Sequence, residues 1–341
     1  MTADRLTDMR CSAIDIREKV KYKMKFWKQL CCLGLAAVAM LSVAGCGGSA
    51  SESSSSGKMQ KLSIGLMPDT DSLPFLIAEE KGYFADEGLD VDLKQFKSAM
   101  DRDSALQSGN LDGAVSDMLA AAFAKDGGFD VKVTSATDGS YKLVAGKTEG
   151  AADVKGLKGK DVSVSRNTII EYVTDEILAK DGLKGEDINK VIIPQIPTRL
   201  EMLQNGKLAA ATLPEPMASI AIHNGAHLIK SSDDLGINPG IILFTDKAAK
   251  DKTKEIQAMY RAYNRAVDYL NTAPREDYID FVIEKAGFPA AAKEALKLPT
   301  YHKAALPKEQ DVTDCIKWLN AKDLVKETYG YDDLVINLLG E

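Results

Sequence analysis

The chain has 341 residues, of which 43 are Lys or Arg and 50 are Asp or Glu, so its formal net charge is −7. This acidic balance argues against binding to nucleic acid and against broad adhesion to anionic lipid. Three of the five cysteines fall within the first 32 residues, which leaves too few for a disulfide framework or a thiolate metal cluster. We expect no cofactor and no metal site.

The N-terminal region carries the pattern of an export signal. Lys25 and Lys28 form a basic start, residues 30–44 are apolar, and small residues precede Cys46 in the run LSVAGC. The apolar run is too short to span a bilayer comfortably. The pattern resembles a bacterial lipoprotein signal, in which cleavage leaves a lipid on Cys46. The alternative is that Cys46 is a buried or disulfide-bonded cysteine.

We therefore assign residues 1–45 to a leader and signal peptide, with Met24 as a candidate for the true translation start. Residues 46–58 hold the lipidated cysteine and a Gly/Ser-rich run that cannot bury a core, so this run is predicted to be a flexible tether. The leader carries eight basic and four acidic residues, and without it 35 and 46 remain, a formal charge of −11. The expected location is the extracytoplasmic face of the cell membrane.

Beyond residue 58, strand-like and helix-like segments alternate. The predicted strands of the first series lie at 61–67, 89–93, 111–115, 131–134 and 141–145, and its helices at 73–81, 99–107 and 118–125. Alternation of this kind implies a largely parallel, doubly wound α/β sheet. Ligands of such sheets bind at the carboxyl ends of the strands, in the loops that lead into helices.

A second series with the same alternation follows. Its predicted strands lie at 162–164, 191–193, 209–213 and 227–230, and its helices at 169–178, 198–205 and 216–222. An apolar strand at 241–244 is predicted to return to the first lobe, and the pattern beyond residue 251 is helical.

A short internal repeat links the two series. LQSGNL at 106–111 and LQNGKL at 203–208 each close a helix with Gly and open a strand, and each strand then leads to an acid, Asp117 or Glu215. Six matching positions are weak for a repeat, and chance similarity of two helix ends is the alternative. The repeat predicts comparable roles for the loops at Asp117 and Glu215.

One polar turn lies between a strand and a helix of the second series. Ser165, Arg166, Asn167 and Thr168 offer hydroxyl, guanidinium and amide groups where the first N–H groups of the helix have no internal partners. Such a helix start can bind an anion or a polar acceptor of a ligand. The alternative is an ordinary helix cap.

Four segments carry a resemblance to a known family. They are AEEKGYFADEGLDVDL at 78–93, ALQSGNLDGAVSD at 105–117, VSVSRNTIIEY at 162–172 and RLEMLQNGKLAAATLPEP at 199–216. They resemble the substrate-binding proteins of nitrate, taurine, alkanesulfonate and thiamine-pyrimidine importers. The resemblance implies a type II periplasmic-binding-protein fold with two α/β lobes, two crossing strands as hinge and a ligand cleft. We place lobe one in 59–145 and 241–341, and lobe two in 146–240.

The resemblance also implies a function. The chain would be a monomeric receptor that delivers a small organic solute, such as an aminopyrimidine or a sulfonate, to the permease and ATPase of an ABC importer. A nitrate-type anion receptor and a sensory binding module are alternatives. An enzyme similar to the eukaryotic thiamine-pyrimidine synthases would need a cofactor lysine, an active-site histidine and a cysteine-rich motif. The mature chain has no cysteine cluster, so we expect no catalytic residues.

The family's ligand loops correspond to positions of this chain residue by residue. The expected ligand-binding residues on these loops are Asp69, Asp71, Ser72, Ser116, Asp117, Ser165, Arg166, Asn167, Thr168 and Glu215. Tyr141 is added as an aromatic candidate beside the predicted hinge. Arg166 and Asn167 stand where many relatives have Gly and Ser, which argues against a small inorganic anion because bulkier side chains hinder approach to the backbone.

The four acids of this set favour a ligand that carries hydrogen-bond donors, with an acidic end at Thr168 as a further hypothesis. The alternative is that Asp69 and Asp71 cap the helix at residue 73, while the other acids pair with Arg166 or Arg199.

Overall fold

The computed structural model describes residues 59–148 and 151–340. The predicted signal peptide, the lipidation site Cys46 and the tether lie outside the described residues. Among the helices of the described part, none is both long and apolar enough to cross a membrane.

The first lobe is built around a five-stranded sheet in the order β2-β1-β3-β10-β4. Its strands are β1 (Leu62–Leu66), β2 (Val91–Gln95), β3 (Gly113–Asp117), β4 (Val131–Ala136) and β10 (Gly240–Thr245). β1 runs parallel to β2 and β3, whereas β10 runs antiparallel to both of its neighbours. The helices between these strands are α1 (Leu73–Glu80), α2 (Tyr83–Asp86), α3 (Ala99–Gln107) and α4 (Met118–Asp126).

The second lobe repeats this plan in a sheet with the order β7-β6-β8-β5-β9. Its strands are β5 (Tyr141–Ala145), β6 (Asp161–Val164), β7 (Asn189–Ile192), β8 (Ala210–Pro214) and β9 (His227–Ser231). β6 runs parallel to β7 and β8, and β5 runs antiparallel to β8 and β9. The helices of this lobe are α5 (Ile169–Lys180), α6 (Ile196–Gln204), α7 (Met217–His223) and α8 (Ser232–Leu235).

The two sheets match strand for strand, and each contains one antiparallel strand in the fourth position. The prediction of two mostly parallel α/β lobes is therefore confirmed. The boundary after residue 145 needs a correction. β5 hydrogen-bonds to β8 and β9, so this strand belongs to the second sheet and the chain changes lobe at 137–140. Strand-like sequence identified β5, but only its pairing partners could assign it to a sheet.

The chain crosses between the lobes in two adjacent segments, 137–140 and 236–239. The side-chain amide of Asn238 donates to the carbonyl of Thr137, and the N–H of Thr137 donates to the carbonyl of Gly240 at 3.1 Å. These hydrogen bonds hold the two crossings side by side, which is the arrangement of a hinge.

The remaining helices follow β10. They are α9 (Asp246–Asp251), α10 (Thr253–Thr272), α11 (Ile279–Ala286), α12 (Ala292–Ala295), α13 (Glu309–Ala321) and α14 (Tyr331–Leu334). α10 packs on α1, where the rings of Phe75 and Tyr263 meet edge to face at 5.2 Å. α13 packs on α4 of the first lobe and also places Trp318 against Tyr172 of α5, with ring centroids 5.7 Å apart. The C-terminal region therefore contacts both lobes.

Most predicted helix starts are confirmed, and local capping explains them. Ser98, Asp117 and Thr168 each accept a backbone N–H from the first turn of their helix, which satisfies a donor that has no partner inside the helix. The helix predicted from residue 198 begins at Ile196 instead. Pro197 occupies its first turn, where proline is favoured because its missing N–H would be unpaired there anyway.

The approach of β3 to β10 leaves no room for a side chain at Gly113. An added methyl carbon would lie 2.7 Å from the carbonyl oxygen of Leu243 and would also clash with the ring of Phe244. We expect Gly113→Ala to lower the free energy of unfolding by about 1–3 kcal/mol through overpacking. Urea denaturation measures this change. Gly330→Ala is the control, because its methyl carbon would meet Asp333 Oδ2 at 3.5 Å, an ordinary contact.

Candidate functional site

A cavity lies between the lobes, at the edge where β1, β3, β6 and β8 end and β5 begins. Both lobes contribute to its polar lining, which consists of Asp69, Asp71, Arg102, Ser116, Asp117, Tyr141, Ser165, Thr168 and Arg199. The apolar part consists of Met67, Ala99, Val115, Ile169, Ile170, Pro194, Ile196 and Pro214. Carboxyl ends of parallel strands meet here, as expected for a doubly wound sheet.

The structure brings together seven of the eleven residues expected at the site. Asp69, Asp71, Ser116, Asp117, Tyr141, Ser165 and Thr168 line the cavity. The other four lie beside it. Ser72 is buried behind Asp69, Glu215 is buried behind the β8 loop, and Arg166 and Asn167 are exposed on the outer side of their turn.

Asp69 and Asp71 form a buried acidic pair on the loop after β1. Asp69 Oδ1 accepts from the hydroxyl of Ser72 at 3.1 Å, and Asp71 Oδ2 accepts from the phenol of Tyr141 at 2.9 Å. Burial raises the pKa of both carboxyls, and the charge of Asp69 raises the pKa of Asp71 further. Asp71 Oδ1 has no hydrogen-bond partner among the described residues. This oxygen lies against the 137–140 crossing, where a Cβ added to Gly139 would come within 2.6 Å of it.

Arg102 and Asp117 form the second charged group of the first lobe. The guanidinium donates to Asp103 Oδ1 and to the carbonyl of Val115, at 2.8 and 3.2 Å, and lies 3.9 Å from Asp117 Oδ2. Asp117 also caps α4 by accepting the N–H of Ala120 at 3.0 Å. Burial raises the pKa of Asp117, while Arg102 opposes this rise. Arg102 is therefore largely neutralised by acids of its own lobe.

Arg199 lies opposite, on α6 of the second lobe, and is completely buried. Its Nη1 donates to the carbonyls of Ile193 and Pro194 at 2.9 and 3.1 Å. Its Nε and Nη2 have no hydrogen-bond partner within the described chain. Burial lowers the pKa of Arg199 to about 9 because no described acid compensates the charge. We call the Nε and Nη2 edge of this side chain the Arg199 fork.

The polar turn before α5 uses most of its hydrogen-bonding groups internally. The N–H of Asn167 donates to Glu171 Oε2 at 2.7 Å, and the Thr168 hydroxyl donates to the carbonyl of Ser165 at 2.9 Å. Asn167 has a φ of 57°, a left-handed conformation that Asn tolerates. The N–H of Ile169 faces Asp117 across the cavity and lowers that acid's pKa. Most of this helix start is thus occupied by the protein's own acceptors.

The alternative, in which Asp117 and Glu215 pair with Arg166 or Arg199, does not hold. Asp117 faces Arg102, and Glu215 is paired with Lys142 and accepts from the hydroxyl of Ser219 at 2.9 Å. Arg166 is exposed and is not among the residues that line the cavity. The backbone carbonyl of Glu215 instead accepts the N–H of Thr70 at 3.0 Å, a direct hydrogen bond between the lobes.

Arg102 is the polar lining residue that sequence reasoning missed, and Arg199 was considered only as an ion-pair partner. The sequence contains a signal for both arginines. Arg102 stands four residues before LQSGNL, and Arg199 stands four residues before LQNGKL. In each case this is the fourth residue of the helix, so the equivalent helices of the two lobes place an arginine at the cavity. The repeat therefore extends to R-x-x-x-L-Q-x-G-x-L.

The cavity is suited to binding and lacks an obvious catalytic set in the described residues. Neither a histidine nor a cysteine is among its lining side chains. Cys315 is buried in α13, where burial raises the pKa of its thiol. Over the ranges 59–148 and 151–340, no group of three or more His, Cys, Asp or Glu side chains is placed to hold a metal ion.

The buried pair makes stability depend on pH. Because burial raises the folded pKa of Asp71 from the ordinary 3.8 to about 8, the folded state holds this proton more tightly, and stability falls as pH rises between these two values. Asp71→Asn mimics the protonated acid. We expect the variant to gain stability relative to the unchanged protein as pH rises, by up to about 1.4 kcal/mol per pH unit. Urea denaturation at several pH values measures the difference.

The exposed Asp90 provides the control, because Asp90→Asn removes a carboxyl group of the same kind from the surface. A stability difference between Asp71→Asn and the unchanged protein that stays constant with pH would contradict the shifted pKa.

Comparison with known families and proteins agrees with the fold. The model of the family described as NMT1/THI5 like matches residues 69–277. A putative aliphatic sulfonates-binding protein of Bacillus subtilis is 26% identical over 234 residues, which cover 66% of this chain and 69% of that protein. A 4-amino-5-hydroxymethyl-2-methylpyrimidine phosphate synthase of Saccharomyces cerevisiae is 25% identical over 240 residues, which cover 63% and 68%.

Two solved structures illustrate the shared fold. The alkanesulfonate-binding protein SsuA from Xanthomonas axonopodis pv. citri has a TM-score of 0.70 at 18% identity, over 83% of this chain and 100% of that chain. The periplasmic nitrate-binding protein NrtA from Synechocystis PCC 6803 has a TM-score of 0.65 at 14% identity, over 82% and 86%. The family match covers more than half of the sequence, and the chain thus belongs to the NMT1/THI5-like family, with the fold of the periplasmic binding proteins.

Proposed function

We propose that the protein is the solute receptor of an ABC importer and captures a small organic ligand between its two lobes. The observation that carries this proposal is the cavity at the lobe interface, whose polar groups come from both sheets. A ligand that contacts Asp71 on one side and Arg199 on the other stabilises the closed arrangement, because the separated lobes cannot both hold it. Closure of this kind is the signal that a permease can recognise.

The lining of the cavity favours an organic ligand over an inorganic anion, because it combines apolar surface with polar groups from both lobes. Met67, Val115, Ile169 and Pro214 offer apolar surface for a carbon skeleton. Asp71 and Ser116 offer polar atoms without partners in the described structure. The ligand therefore combines polar ends with an apolar middle.

The sulfonate-binding and pyrimidine-synthase relatives suggest two ligand classes, a taurine-like sulfonate and an aminopyrimidine. An enzyme on this fold is the second candidate, since the yeast relative is a synthase. The lining of the described cavity favours the receptor, because it includes neither a histidine nor a cysteine that could act as base or nucleophile.

The remaining parts of the proposal concern the partners and the location. The receptor acts with a permease and an ATPase, and a lipid on Cys46 holds it at the extracytoplasmic face of the membrane. A flexible tether at 46–58 would keep it at high effective concentration near the permease. Lipidation is supported by the basic start, the apolar run and the small residues before Cys46.

Ligand binding is tested by a thermal-shift panel on the purified full chain, with taurine, alkanesulfonates, pyrimidine precursors of thiamine, and nitrate. A true ligand at about 100 times its Kd adds about 2.7 kcal/mol to the free energy of unfolding. We expect an organic member of the panel to stabilise the protein. Stabilisation by nitrate alone would contradict an organic ligand.

A variant that fills the cavity shows whether the ligand binds there. Ala99→Trp places a ring in the cavity lining, so the stabilisation should disappear. Met100→Trp is the matched control on the same turn of α3, because Met100 is 61% exposed and does not line the described cavity. Equal loss in both variants would place the ligand elsewhere.

The membrane anchor is tested by Cys46→Ala. Without the thiol no lipid can be attached, so we expect the variant to move from the membrane fraction to the soluble fraction of fractionated cells. Ser53→Ala in the tether is the control and should remain with the membranes. Membrane retention of Cys46→Ala would refute the lipid anchor.

A further inference from the structure

Of the two buried arginines that line the cavity, Arg199 is the one that the protein leaves without a counter-ion in the described structure. Arg102 occupies the equivalent position in the first lobe and meets Asp103 at 2.8 Å and Asp117 at 3.9 Å. In the second lobe the residue after the arginine is Leu200 instead of an acid. Glu215, the counterpart of Asp117, is paired with Lys142. Arg102 is therefore neutralised by neighbouring acids, whereas Arg199 at the equivalent position of the second lobe is not.

The geometry of Arg199 resembles a prepared receptor site. Its Nη1 is fixed by two backbone carbonyls of the β7–α6 loop, so the plane of the guanidinium is held in place. The Arg199 fork consists of the two N–H groups on the same side of that plane. Two such parallel donors match the two oxygens of a carboxylate, sulfonate or phosphate in a bidentate pair.

The free-energy cost of burying an unpaired charge also favours an oxyanion beside Arg199. A buried charge without a partner is strongly unfavourable, and burial already lowers the pKa of Arg199 to about 9. The side chain has an exposed fraction of 0%, and the space that it borders is the cavity. An oxyanion in the cavity would compensate this charge, whereas a cation or a neutral ring would leave it uncompensated.

We propose that the Arg199 fork binds an oxyanion group of the ligand, and that the solute is an organic acid whose opposite end carries polar groups that hydrogen-bond to Asp71 and Ser116. This inference rests on the proposed function, since it names the class of solute that the receptor takes. It assigns the acidic end to α6 rather than to the turn at Thr168, whose hydroxyl already donates to Ser165.

The fork can be tested without knowing the full ligand, using small oxyanions as probes. Methanesulfonate, acetate and inorganic phosphate are compared with chloride at equal ionic strength, and the melting temperature of the purified full chain is measured. We expect at least one oxyanion to stabilise the protein, and the three arms identify which acid group fits. Arg199→Met should abolish the response. Arg199→Lys keeps the charge but lacks the fork, so it should retain only a weak response.

Arg261→Met is the matched control, because Arg261 is a surface arginine paired with Glu87 far along α10. It should respond to the oxyanions like the unchanged protein. Arg199→Met alone should fold well in chloride, since it replaces an uncompensated buried charge with an apolar chain of similar length. A response that persists in Arg199→Met shows an adventitious ion only and overturns the inference. Absence of any response in the unchanged protein also overturns it.

The affinity for an organic ligand distinguishes a failure of this inference from a failure of the proposed function. For a ligand that emerges from the panel above, we expect Arg199→Met to weaken the affinity by about 30-fold or more, as for truncation of one partner in a buried charge pair. An organic solute bound equally well by Arg199→Met and the unchanged protein would sustain the receptor function and refute the role of Arg199. An oxyanion response through Arg199 with no organic ligand found would instead refute the proposed receptor function.

Discussion

The structure depends on how charge is compensated among the buried side chains that line the cavity. Five charged side chains, Asp69, Asp71, Arg102, Asp117 and Arg199, line this cavity and are almost completely buried. In such surroundings each charge must find a partner, lose its charge, or await a ligand. The first lobe uses two of these routes. Arg102 and Asp117 lie within ion-pair distance, and the raised pKa of Asp71 favours its neutral form.

In the second lobe, the charge of Arg199 is left for a ligand to compensate. Its arginine is held by backbone carbonyls, and its ion-pairing acid Glu215 is already engaged by Lys142. The two lobes therefore share a fold plan and a helix position but differ in charge compensation. The cavity therefore has two chemically different sides. The first lobe presents the carboxyl group of Asp71, and the second lobe presents the guanidinium of Arg199. A ligand with unlike ends fits such a cavity in one orientation only.

Much of the fold followed from local patterns in the sequence. Strand-like alternation, helix caps at Ser98 and Thr168, and the repeat around LQSGNL and LQNGKL predicted two equivalent α/β lobes. The acids at the ends of β1 and β3 were found because strand ends in such sheets converge on the ligand. The assignment of β5 to the second sheet was missed, because hydrogen-bond partners of a strand are not encoded in its own residues.

By itself, the sequence determined the alternation of elements, the family, and the loops that contain Asp69, Asp71, Asp117 and Ser165, because these depend on local spacing and capping. Only the tertiary structure decided which charges are satisfied. Arg166 is exposed, and Arg199 is buried with an unpaired edge in the described chain. Both are arginines near a predicted ligand loop, and residue type cannot distinguish them. Burial and the positions of partners distant in sequence can distinguish them, because these two factors determine the free-energy cost of each buried charge.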